Sequence, residues 1–475
     1  MLNRPTAGKP APGIYHMSAF CLLSSAFIFF VACPSLSASD PEPGMVQVGG
    51  WAATYGGDKD DRANIQQTSD GGYIMAGETE SFGAGKGDLW VLKLRLDGTI
   101  DWQKTYGGAS SDWANFVQQT SDGGYIVAGA TDSFGAGRGN LWVLKLRPDG
   151  TVEWQKTYGG VSSDWAFSVQ QTRDGGYIVA GSTYSFGAGK GDLWVLKLRP
   201  DGTVEWQKTY GGDYMDIAGI VQQTSDGGYI VPGATKSFGA GGGDLWVLKL
   251  RPDGTVEWQK TYGGDSKDWT LFVHQTSDGG YVVAGGTSSF GAGGGDLWVL
   301  KLGPDGTIGW QKTYGGNHDD GGGIIQQAND GGYIVAGGTE SFGAGDRDLW
   351  ILKLRADGTV EWQKTYGGNH DDGGGIIQQA NDGGYIVSGT TESFGAGKRD
   401  IWVLRLRPDG SFGYAQDKSV GPSCGLLMDT SIFAEDSEAS VITTNVSPED
   451  TSVDPQDSQA MVQDTEVSAN FLCQP

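Results

Sequence analysis

The sequence predicts an all-β protein built from seven similar sheets, and three observations support this prediction. The heptapeptide WQKTYGG begins at Trp102 and recurs at five later tryptophans, and a related copy, WAATYGG, begins at Trp51. Seven Leu-Trp or Ile-Trp pairs follow one another at a constant spacing of 52 residues. No stretch between them shows a sustained helical period. Repeated four-stranded sheets of this kind form a seven-bladed β-propeller.

Each repeat predicts four strands, as the second repeat illustrates. Residues Asn115–Thr120 form the first strand, and the tight turn Ser121–Gly124 connects them to the second strand at Tyr125–Thr131. A longer glycine loop leads to the third strand at Leu141–Arg147. A Pro-Asp-Gly turn leads to the fourth strand at Thr151–Tyr158. Each repeat is therefore a four-stranded antiparallel meander.

The two middle strands of each repeat are apolar on both faces. In the third strand of the second repeat, Trp142 and Leu144 point to one face, whereas Leu141 and Val143 point to the other. A sheet that is buried on both faces must lie between other sheets. A single repeat is too small to bury two apolar faces, so the repeats must pack against one another around a ring.

The ends of the array predict how the ring closes. The array opens with a copy of the fourth strand, VQVGGWAATYGG, at Val46–Gly57. It ends with three strands followed by Ser411–Ser419, which matches the fourth strand poorly. We therefore expect the N-terminal strand to complete the seventh blade, which leaves no open sheet edge in the ring. The propeller is predicted to span residues 45–419.

The first 39 residues predict an export signal. Arg4 and Lys9 precede an apolar segment, Ser18–Cys33, that is short for a membrane span. Two processing routes remain open: cleavage after the small residues 37–39, or lipidation at Cys33 within the sequence FVAC. We expect a protein that is secreted, periplasmic or on the cell surface, with membrane contact only through such a lipid.

Composition and charge exclude several classes of partner. The chain has 475 residues and 82 glycines, but its aromatic content of 11% indicates a folded protein rich in turns rather than a disordered one. Its net charge of −24 opposes binding to nucleic acids and to anionic membranes. No cysteine lies in the repeats, which excludes thiol catalysis and thiolate metal sites there.

The C-terminal residues 420–475 predict an acidic, Ser/Thr-rich tail. They contain ten Asp or Glu and no Lys or Arg. We expect a stapled or loosely ordered extension rather than a second enzyme domain. Cys424 and Cys473 lie in this tail, and in an oxidising compartment they are predicted to form a disulfide.

The repeat unit resembles that of secreted bacterial and archaeal propeller-repeat proteins. Its pattern is YGGxxxD…DGGYIxxGxTxSFGAGxxDLWxLKLxxDGxxxW, and the resemblance covers about Val46 to Gly410. The segment DGTVEW is similar to the tryptophan-docking motif of quinoprotein-like propellers. The resemblance implies the propeller fold, and some relatives carry endoglucanase-like or lectin-like labels. Quinone enzymes of this kind hold their cofactor with a vicinal disulfide and calcium ligands. Because the repeats contain no cysteine, we expect no cofactor.

Variation among the repeats predicts where a functional site lies. The SDGG and PDG turns hardly change, whereas the connections TYGGxxxD and GxTxSFGAGxx differ from repeat to repeat. In a four-stranded meander these two connections lie on the same face of the ring. We expect this variable face to carry the function, since scaffolded loops commonly carry binding sites.

Two sets of aspartates recur on the predicted variable face. The first set precedes or begins the first strand: Asp61, Asp112, Asp164, Asp216, Asp268, Asp320 and Asp372. The second set precedes the third strand: Asp88, Asp192, Asp244, Asp296, Asp348 and Asp400, with Asn140 in the second repeat. Their recurrence favours a structural role in which the side chains bond loop amides. Calcium binding and paired acid catalysis are the alternatives.

Aromatic residues that break the symmetry are the candidate ligand contacts. The tryptophan of WQKTYGG occurs in every repeat, which predicts a packing role. Among the 17 tryptophans, three occur only in some repeats, each directly after a first-set aspartate: Trp113, Trp165 and Trp269. Together with Tyr214 they form either a stacking platform for sugar rings or a filling between blades.

Histidines in the last two repeats are candidate metal ligands. His318 and His370 occupy the same position of a copied loop, NHDDGGG. Duplication of the segment explains both histidines, and no other ligands converge with them in the sequence, so no metal site is expected.

We expect an exported, monomeric, non-catalytic propeller that binds an extracellular protein or glycan on its variable face. A polysaccharide-acting enzyme of the endoglucanase-like type is one alternative, and a purely structural cell-surface repeat protein is another. A glycosidase needs two carboxylates in distinct environments. The repeats show no unique pair of this kind.

Overall fold

The computed structural model describes residues 50–412 and seven short strands between residues 428 and 473. The predicted export signal with Cys33, and the predicted disulfide partner Cys424, lie outside the described residues and stay predictions. Within the described part of the chain, no helix is long and apolar enough to cross a membrane.

Residues 51–406 form 29 strands, numbered in chain order, that make seven four-stranded antiparallel blades. The innermost strands are β2 (Asp61–Gln67), β6 (Asp112–Gln119), β10 (Asp164–Gln171), β14 (Asp216–Ala218) with β15 (Gln222–Gln223), β19 (Asp268–Gln275), β23 (Asp320–Gln327) and β27 (Asp372–Gln379). The second strands are β3 (Tyr73–Thr79), β7 (Tyr125–Thr131), β11 (Tyr177–Thr183), β16 (Tyr229–Thr235), β20 (Tyr281–Thr287), β24 (Tyr333–Thr339) and β28 (Tyr385–Thr391). Blades 1 to 7 are named in this order.

The third strands are β4 (Asp88–Leu94), β8 (Asn140–Leu146), β12 (Asp192–Leu198), β17 (Asp244–Leu250), β21 (Asp296–Leu302), β25 (Asp348–Leu354) and β29 (Asp400–Leu406). The outer strands are β5 (Ile100–Gly107), β9 (Val152–Tyr158), β13 (Val204–Tyr210), β18 (Val256–Gly263), β22 (Ile308–Tyr314), β26 (Val360–Tyr366) and, in blade 7, β1 (Trp51–Tyr55). The predicted meander of four strands per repeat is confirmed.

The N-terminal strand closes the ring. β1 pairs antiparallel with β29, in a register that runs from Trp51 opposite Arg405 to Tyr55 opposite Ile401. Blade 7 therefore takes its outer strand from the start of the array and its other three strands from the end. The predicted seven-bladed propeller and its closure by the N-terminal strand are both confirmed.

The hydrophobic core lies between successive blades. Trp142 of β8 is fully buried in one cluster with Leu89 and Val91 of β4 in the preceding blade. All residues of β7 and β8 are buried, as the apolar pattern on both faces predicts. Seven such clusters hold the ring together, because each blade supplies half of the core on either side.

The motif WQKTYGG is a joint between blades. The ring of Trp102 packs edge-on against Tyr125 of the next blade, with ring centroids 6.0 Å apart, and its Nε1 donates to the carbonyl of Pro148 at 3.1 Å. The hydroxyl of Tyr106 donates to the carbonyl of Gly150 at 2.5 Å. Both aromatic residues reach the following repeat, so the recurring tryptophan has an architectural role.

Glutamines form a further chain of contacts around the inner strands. The side-chain oxygen of Gln66 accepts a hydrogen bond from the backbone N–H of Gln119 at 2.7 Å, one blade further on. The same bond recurs between later blades, and Gln378 accepts from the N–H of Gln67 at 2.9 Å across the closing junction. In blade 5 this glutamine position is occupied by His274, and burial lowers the pKa of His274 to about 4.

A fifth strand lies on the outer edge of every blade. The seven short strands of the C-terminal region are β30 (Met428–Asp429), β31 (Glu435–Asp436), β32 (Ser440–Thr443), β33 (Glu449–Asp450), β34 (Gln456–Asp457), β35 (Met461–Asp464) and β36 (Asn470–Cys473). Each pairs antiparallel with one outer strand of the propeller. These pairings are not predicted by the sequence patterns described above.

Candidate functional site

First-set aspartates anchor the loops of the variable face. The carboxylate of Asp112 accepts hydrogen bonds from the N–H of Gly108 at 2.8 Å, from the Ser133 hydroxyl at 2.6 Å and from the Thr131 hydroxyl. Asp164 makes the same three bonds one blade further on. The two variable connections of each repeat therefore meet at one carboxylate, which places them together on one face.

Second-set aspartates lie beside the first-set aspartate of the following blade. In the junction of blades 4 and 5, a Cβ added to Gly263 would lie 2.1 Å from an oxygen of Asp244 and 2.8 Å from an oxygen of Asp268. The first glycine of the TYGG motif is thus required because two carboxyl groups occupy the space of a side chain. The same arrangement recurs at Gly56, Gly107, Gly211, Gly315 and Gly367.

Burial raises the pKa of carboxyl groups in these pairs. Burial, reinforced by the charge of Asp268, raises the pKa of Asp244 to about 7. Burial also raises the pKa of Asp348 to about 6, with a smaller contribution from Asp372. In blade 2 the second-set position is Asn140, a neutral group of similar shape. The six pairs are repeated parts of the blade junctions, so none of them is unique.

The histidines and carboxylates of the described residues do not converge on a metal site. Among the described residues, no group of three or more His, Cys, Asp or Glu side chains is placed to hold a metal ion. His318 and His370 lie on exposed loops, where their backbone N–H groups donate to Ser341 and Ser393 at 3.0 Å. Their shared role is thus to continue the repeated loop geometry.

The symmetry-breaking tryptophans begin inner strands of three different blades. Trp113, Trp165 and Trp269 are half-buried and lie at the same position in β6, β10 and β19. Trp165 packs against Tyr184, with ring centroids 5.3 Å apart. Tyr184 is also hydrogen-bonded to the sulfur of Met215 at 3.3 Å, next to Tyr214, which is 57% exposed. Trp165, Tyr184 and Tyr214 therefore surround the junction of blades 3 and 4.

Tyr184 was missed in the sequence analysis, although a signal for it exists. The other repeats carry Glu, Asp, Lys or Ser at the matching position before the SFGAG loop. A comparison of the repeats position by position identifies Tyr184 as the one aromatic residue there.

A recess of about 510 Å³ lies at the centre of the ring, where residues from the inner strands of all seven blades, including Trp269, line it. Its floor is formed by residues 321–323 of blade 6 and 373–375 of blade 7, all of them glycine. At the position directly after the first-set aspartate, the other five blades carry Arg62, Trp113, Trp165, Ile217 and Trp269. The recess, which we call the Trp269 recess, therefore exists because blades 6 and 7 lack a side chain at this position.

Two arginines stand at the rim of the Trp269 recess. Arg347 and Arg399 precede the third strands of blades 6 and 7, at a position where the other five repeats have glycine. Arg399 forms an ion pair with Glu392 at 2.5 Å. Lys267 lies with its Nζ 4.9 Å from the centre of the Trp269 ring. These arginines were not among the candidate site residues predicted above, although they differ from the glycine of the other five repeats in the sequence itself.

The recess combines an aromatic ring, exposed backbone and cationic side chains. The face of Trp269 is suited to an apolar C–H surface, and glycine backbone leaves amide groups accessible because no Cβ covers them. Guanidinium groups donate several hydrogen bonds in a fixed plane, which suits hydroxyl and carboxylate oxygens. Such an arrangement binds small polar ligands with one apolar face. Of the described residues that line the recess, Asp371 is the one that carries a carboxyl group.

The fold and site define this chain as a seven-bladed β-propeller with a central recess that the inner strands of all seven blades line. No protein-family model matches the sequence, and no curated protein is detectably similar to it. Solved structures with a similar fold include a protein of unknown function from Dyadobacter fermentans, with 14% identity, a TM-score of 0.42 and coverage of 76% of this chain and 100% of that one.

Two further structures illustrate the range of proteins with this likeness. The WD40 domain of Pan2 from Neurospora crassa has 14% identity and a TM-score of 0.37, and the match covers 75% of this chain and 89% of that one. An endo-1,5-α-L-arabinanase from Thermotoga petrophila has 12% identity and a TM-score of 0.28, with 75% and 100% coverage. These likenesses concern the fold and transfer no ligand or activity to this chain.

Proposed function

We propose that the protein is an exported, non-catalytic glycan-binding propeller whose ligand occupies the Trp269 recess on the variable face. The observation that carries this proposal is the local loss of symmetry. Two adjacent blades have glycine where the others have larger residues, and the same two blades add an arginine where the others have glycine. Both changes fall around one cavity.

The chemistry of the recess supports a sugar rather than a wholly apolar ligand. A pyranose ring presents C–H groups on one face and hydroxyl groups at its edge. Trp269 provides a surface for the C–H face, and Arg347, Arg399 and the glycine amides provide hydrogen-bond donors for the edge. Trp113, Trp165 and Tyr214 belong to the same proposal, as contacts along the face for a longer chain of sugars.

The binding test uses the purified protein on a glycan array that contains neutral and uronic-acid oligosaccharides, followed by calorimetry with the best ligand. Trp269→Ala removes the aromatic surface. We expect at least a tenfold loss of affinity, because a central aromatic contact contributes about 2 kcal/mol to the binding free energy. Gly373→Trp restores the side chain that other blades have, and we expect it to fill the recess and abolish binding.

Controls separate loss of the site from loss of the fold. Ile217→Ala changes the same strand position in blade 4 and should leave affinity within about twofold, because Ile217 is not among the residues that line the recess. A Cβ at Gly373 has Thr390 at 3.4 Å as its nearest neighbour, so the residue there does not strain the backbone. If Gly373→Trp binds as tightly as the parent, the ligand does not occupy the recess.

The same oligosaccharides also test the non-catalytic part of the proposal. Prolonged incubation with the protein should release no new reducing ends, because the carboxyl pairs are buried parts of the junctions. If hydrolysis of the oligosaccharides persists after repurification and is lost in a junction variant such as Asp244→Asn, the protein is an enzyme and the non-catalytic proposal is wrong.

A further inference from the structure

The C-terminal strands surround the propeller in a fixed order. From β30 to β35 they pair with β26, β22, β18, β13, β9 and β5, and β36 then pairs with β1. The tail thus visits blades 6, 5, 4, 3, 2, 1 and 7, one strand to each blade. Every outer edge of the ring receives one of these strands.

The tail sequence has a period that matches this order. Asp-Thr or Asp-Ser dipeptides begin at Asp429, Asp436, Asp450, Asp457 and Asp464, all separated by multiples of seven residues. Thr443 and Phe471 occupy the same phase in the two remaining heptads. The tail therefore contains seven heptads, which equals the number of blades. This period belongs to the sequence and is independent of the strand pairing.

The register places residues of opposite charge at directly opposed strand positions. The lysine of the WQKTYGG motif lies opposite the heptad aspartate in five blades: Lys364 and Asp429, Lys312 and Asp436, Lys208 and Asp450, Lys156 and Asp457, and Lys104 and Asp464. Opposite charges at directly opposed positions of an antiparallel pair stabilise it, and like charges destabilise it.

Two blades depart from this pattern, and the departure in blade 7 supports it. In blade 7 the outer strand has Ala53 in place of the lysine, and the opposed heptad residue is Phe471 in place of the aspartate. In blade 4, Lys260 lies opposite Thr443, a neutral residue. Where the lysine is missing, the aspartate is missing too. Such a correspondence follows from pairing in this register and has no reason to arise in an unattached tail.

We propose that the outer rim of the propeller is a binding surface for an acidic heptad-repeat strand, and that residues 428–473 of the same chain occupy it as a belt with one heptad per blade. Strand addition supplies backbone hydrogen bonds, and the lysine–aspartate pairs select the register. The belt covers seven sheet edges that would otherwise be open to pairing with other molecules. It also explains why the recurring motif contains a lysine.

Charge reversal in the full-length protein tests the belt. The variant that changes the five heptad aspartates to lysine (429, 436, 450, 457 and 464) should lower amide exchange protection factors of residues 428–464 at least tenfold. A second variant adds aspartate in place of Lys104, Lys156, Lys208, Lys312 and Lys364, which restores opposite charges in the same register. Its protection factors should return to within about threefold of the parent. Both are measured by hydrogen exchange with mass spectrometry.

A pair of single substitutions controls for net charge. Asp457→Lys changes the heptad position that faces Lys156, whereas Asp454→Lys makes the same change of charge three residues earlier, outside this phase. Only Asp457→Lys should lower protection in its heptad and make it more sensitive to salt. Equal effects of the two substitutions would overturn the register.

Two readouts keep the test decisive. Near-ultraviolet circular dichroism reports whether the propeller remains folded in each variant, so that global unfolding is recognised. Failure of the compensated variant to recover protection, with the propeller folded, would overturn the proposal. Protection that falls on dilution, together with a dimeric mass, would assign the belt to a second copy of the chain and overturn its assignment to the same chain.

Discussion

The residue with the clearest consequence for stability is the second-set aspartate in each blade junction. Asp244 has a folded-state pKa of about 7, above its ordinary value of 3.8, because it is buried beside Asp268. The native state therefore binds this proton more tightly than the unfolded chain does. The resulting stabilisation is complete below about pH 4 and is lost as the pH rises through 7.

Replacement of Asp244 by asparagine should remove this dependence on pH. Asparagine keeps the shape and stays neutral, as Asn140 does in blade 2. We expect Asp244→Asn to raise the melting temperature by about 2 °C at pH 8 and by less at pH 5, where the folded carboxyl group is still protonated. Differential scanning calorimetry at both values of pH measures it.

The reciprocal substitution provides the control. Asn140→Asp introduces a carboxyl group beside Asp164 in the one junction that lacks a pair. It should lower the melting temperature more at pH 8 than at pH 5. If both variants have the same pH profile of melting temperature as the parent, the carboxyl pairs are ionised at neutral pH and do not lower the free energy of unfolding.

The symmetry-breaking tryptophans should affect binding more than stability. Trp113, Trp165 and Trp269 are half-buried at the ends of inner strands, whereas Trp142 is fully buried between blades. We expect Trp→Ala at each of the three to shift the melt by only a few degrees, and the triple variant to lose glycan retention. By comparison, Trp142→Ala should lower the free energy of unfolding by about 3–5 kcal/mol. Thermal melts and a glycan pull-down measure the two properties.

Strong destabilisation by each of the three substitutions would show that these tryptophans pack between blades and do not form a binding surface. The result for Trp269 is separable from the others, because only Trp269 of the three lines the recess. Loss of binding with Trp269→Ala, and retention with Trp113→Ala and Trp165→Ala, would restrict the ligand to the recess.

At the scale of elements, the N-terminal strand is the part whose loss should be most damaging. Strand β1 is buried along its length and pairs with β29 on one side. Deletion of residues 46–57 would expose the edge of β29 and remove Trp51, Ala53 and Tyr55 from a core cluster. We expect aggregation or a large loss of cooperativity.

Light scattering and calorimetry of the truncated protein measure this effect. A truncated protein that melts like the parent would mean that another segment, such as residues 411–419, completes blade 7. Deletion of the same number of residues from the predicted export segment provides the control for shortening the chain.

For the whole molecule, the propeller and its tail should be separable in folding. All the hydrophobic clusters between blades are formed by residues 51–412. We expect a protein that ends at Val420 to fold and melt in one cooperative transition, at a temperature a few degrees lower. Its seven uncovered edges should make it more prone to associate at high concentration. Tryptophan fluorescence and light scattering measure both.

A truncated protein that fails to fold would make the tail an integral part of the core. The charge-reversed full-length variant described above distinguishes the two outcomes, because it retains every residue of the tail and disturbs only its register on the blades.

Sequence alone determined the blade and the number of blades. The spacing of 52 residues, the SDGG and PDG turns and the doubly apolar third strand are local features, and each acts on neighbouring residues whatever the distant chain does. Closure by the strand at Trp51 followed from counting strands. Strand positions agree within a few residues, as in β6, which begins at Asp112 rather than at the expected Asn115.

The site depended on contacts that the sequence does not order. Asp88 and Asp112 are 24 residues apart and belong to different blades, so their pairing appears only when the blades stack. The Trp269 recess arises from side chains that are absent at Gly321 and Gly373, next to arginines from other loops. An absent side chain leaves a cavity only where no neighbouring side chain occupies the space. Tertiary packing, and not the local sequence, decides whether that happens.

The tail shows most clearly the difference between what the sequence predicts and what the tertiary structure decides. Its acidity and its Asp-Thr and Asp-Ser dipeptides are visible in the sequence, but the partner of each heptad lies up to several hundred residues away and follows the reverse order of the blades. Strand pairing is set by backbone hydrogen bonds at an edge, and that edge exists only after the ring has closed. The local sequence therefore determined the blades, and the closed ring decided what could assemble inside it and around it.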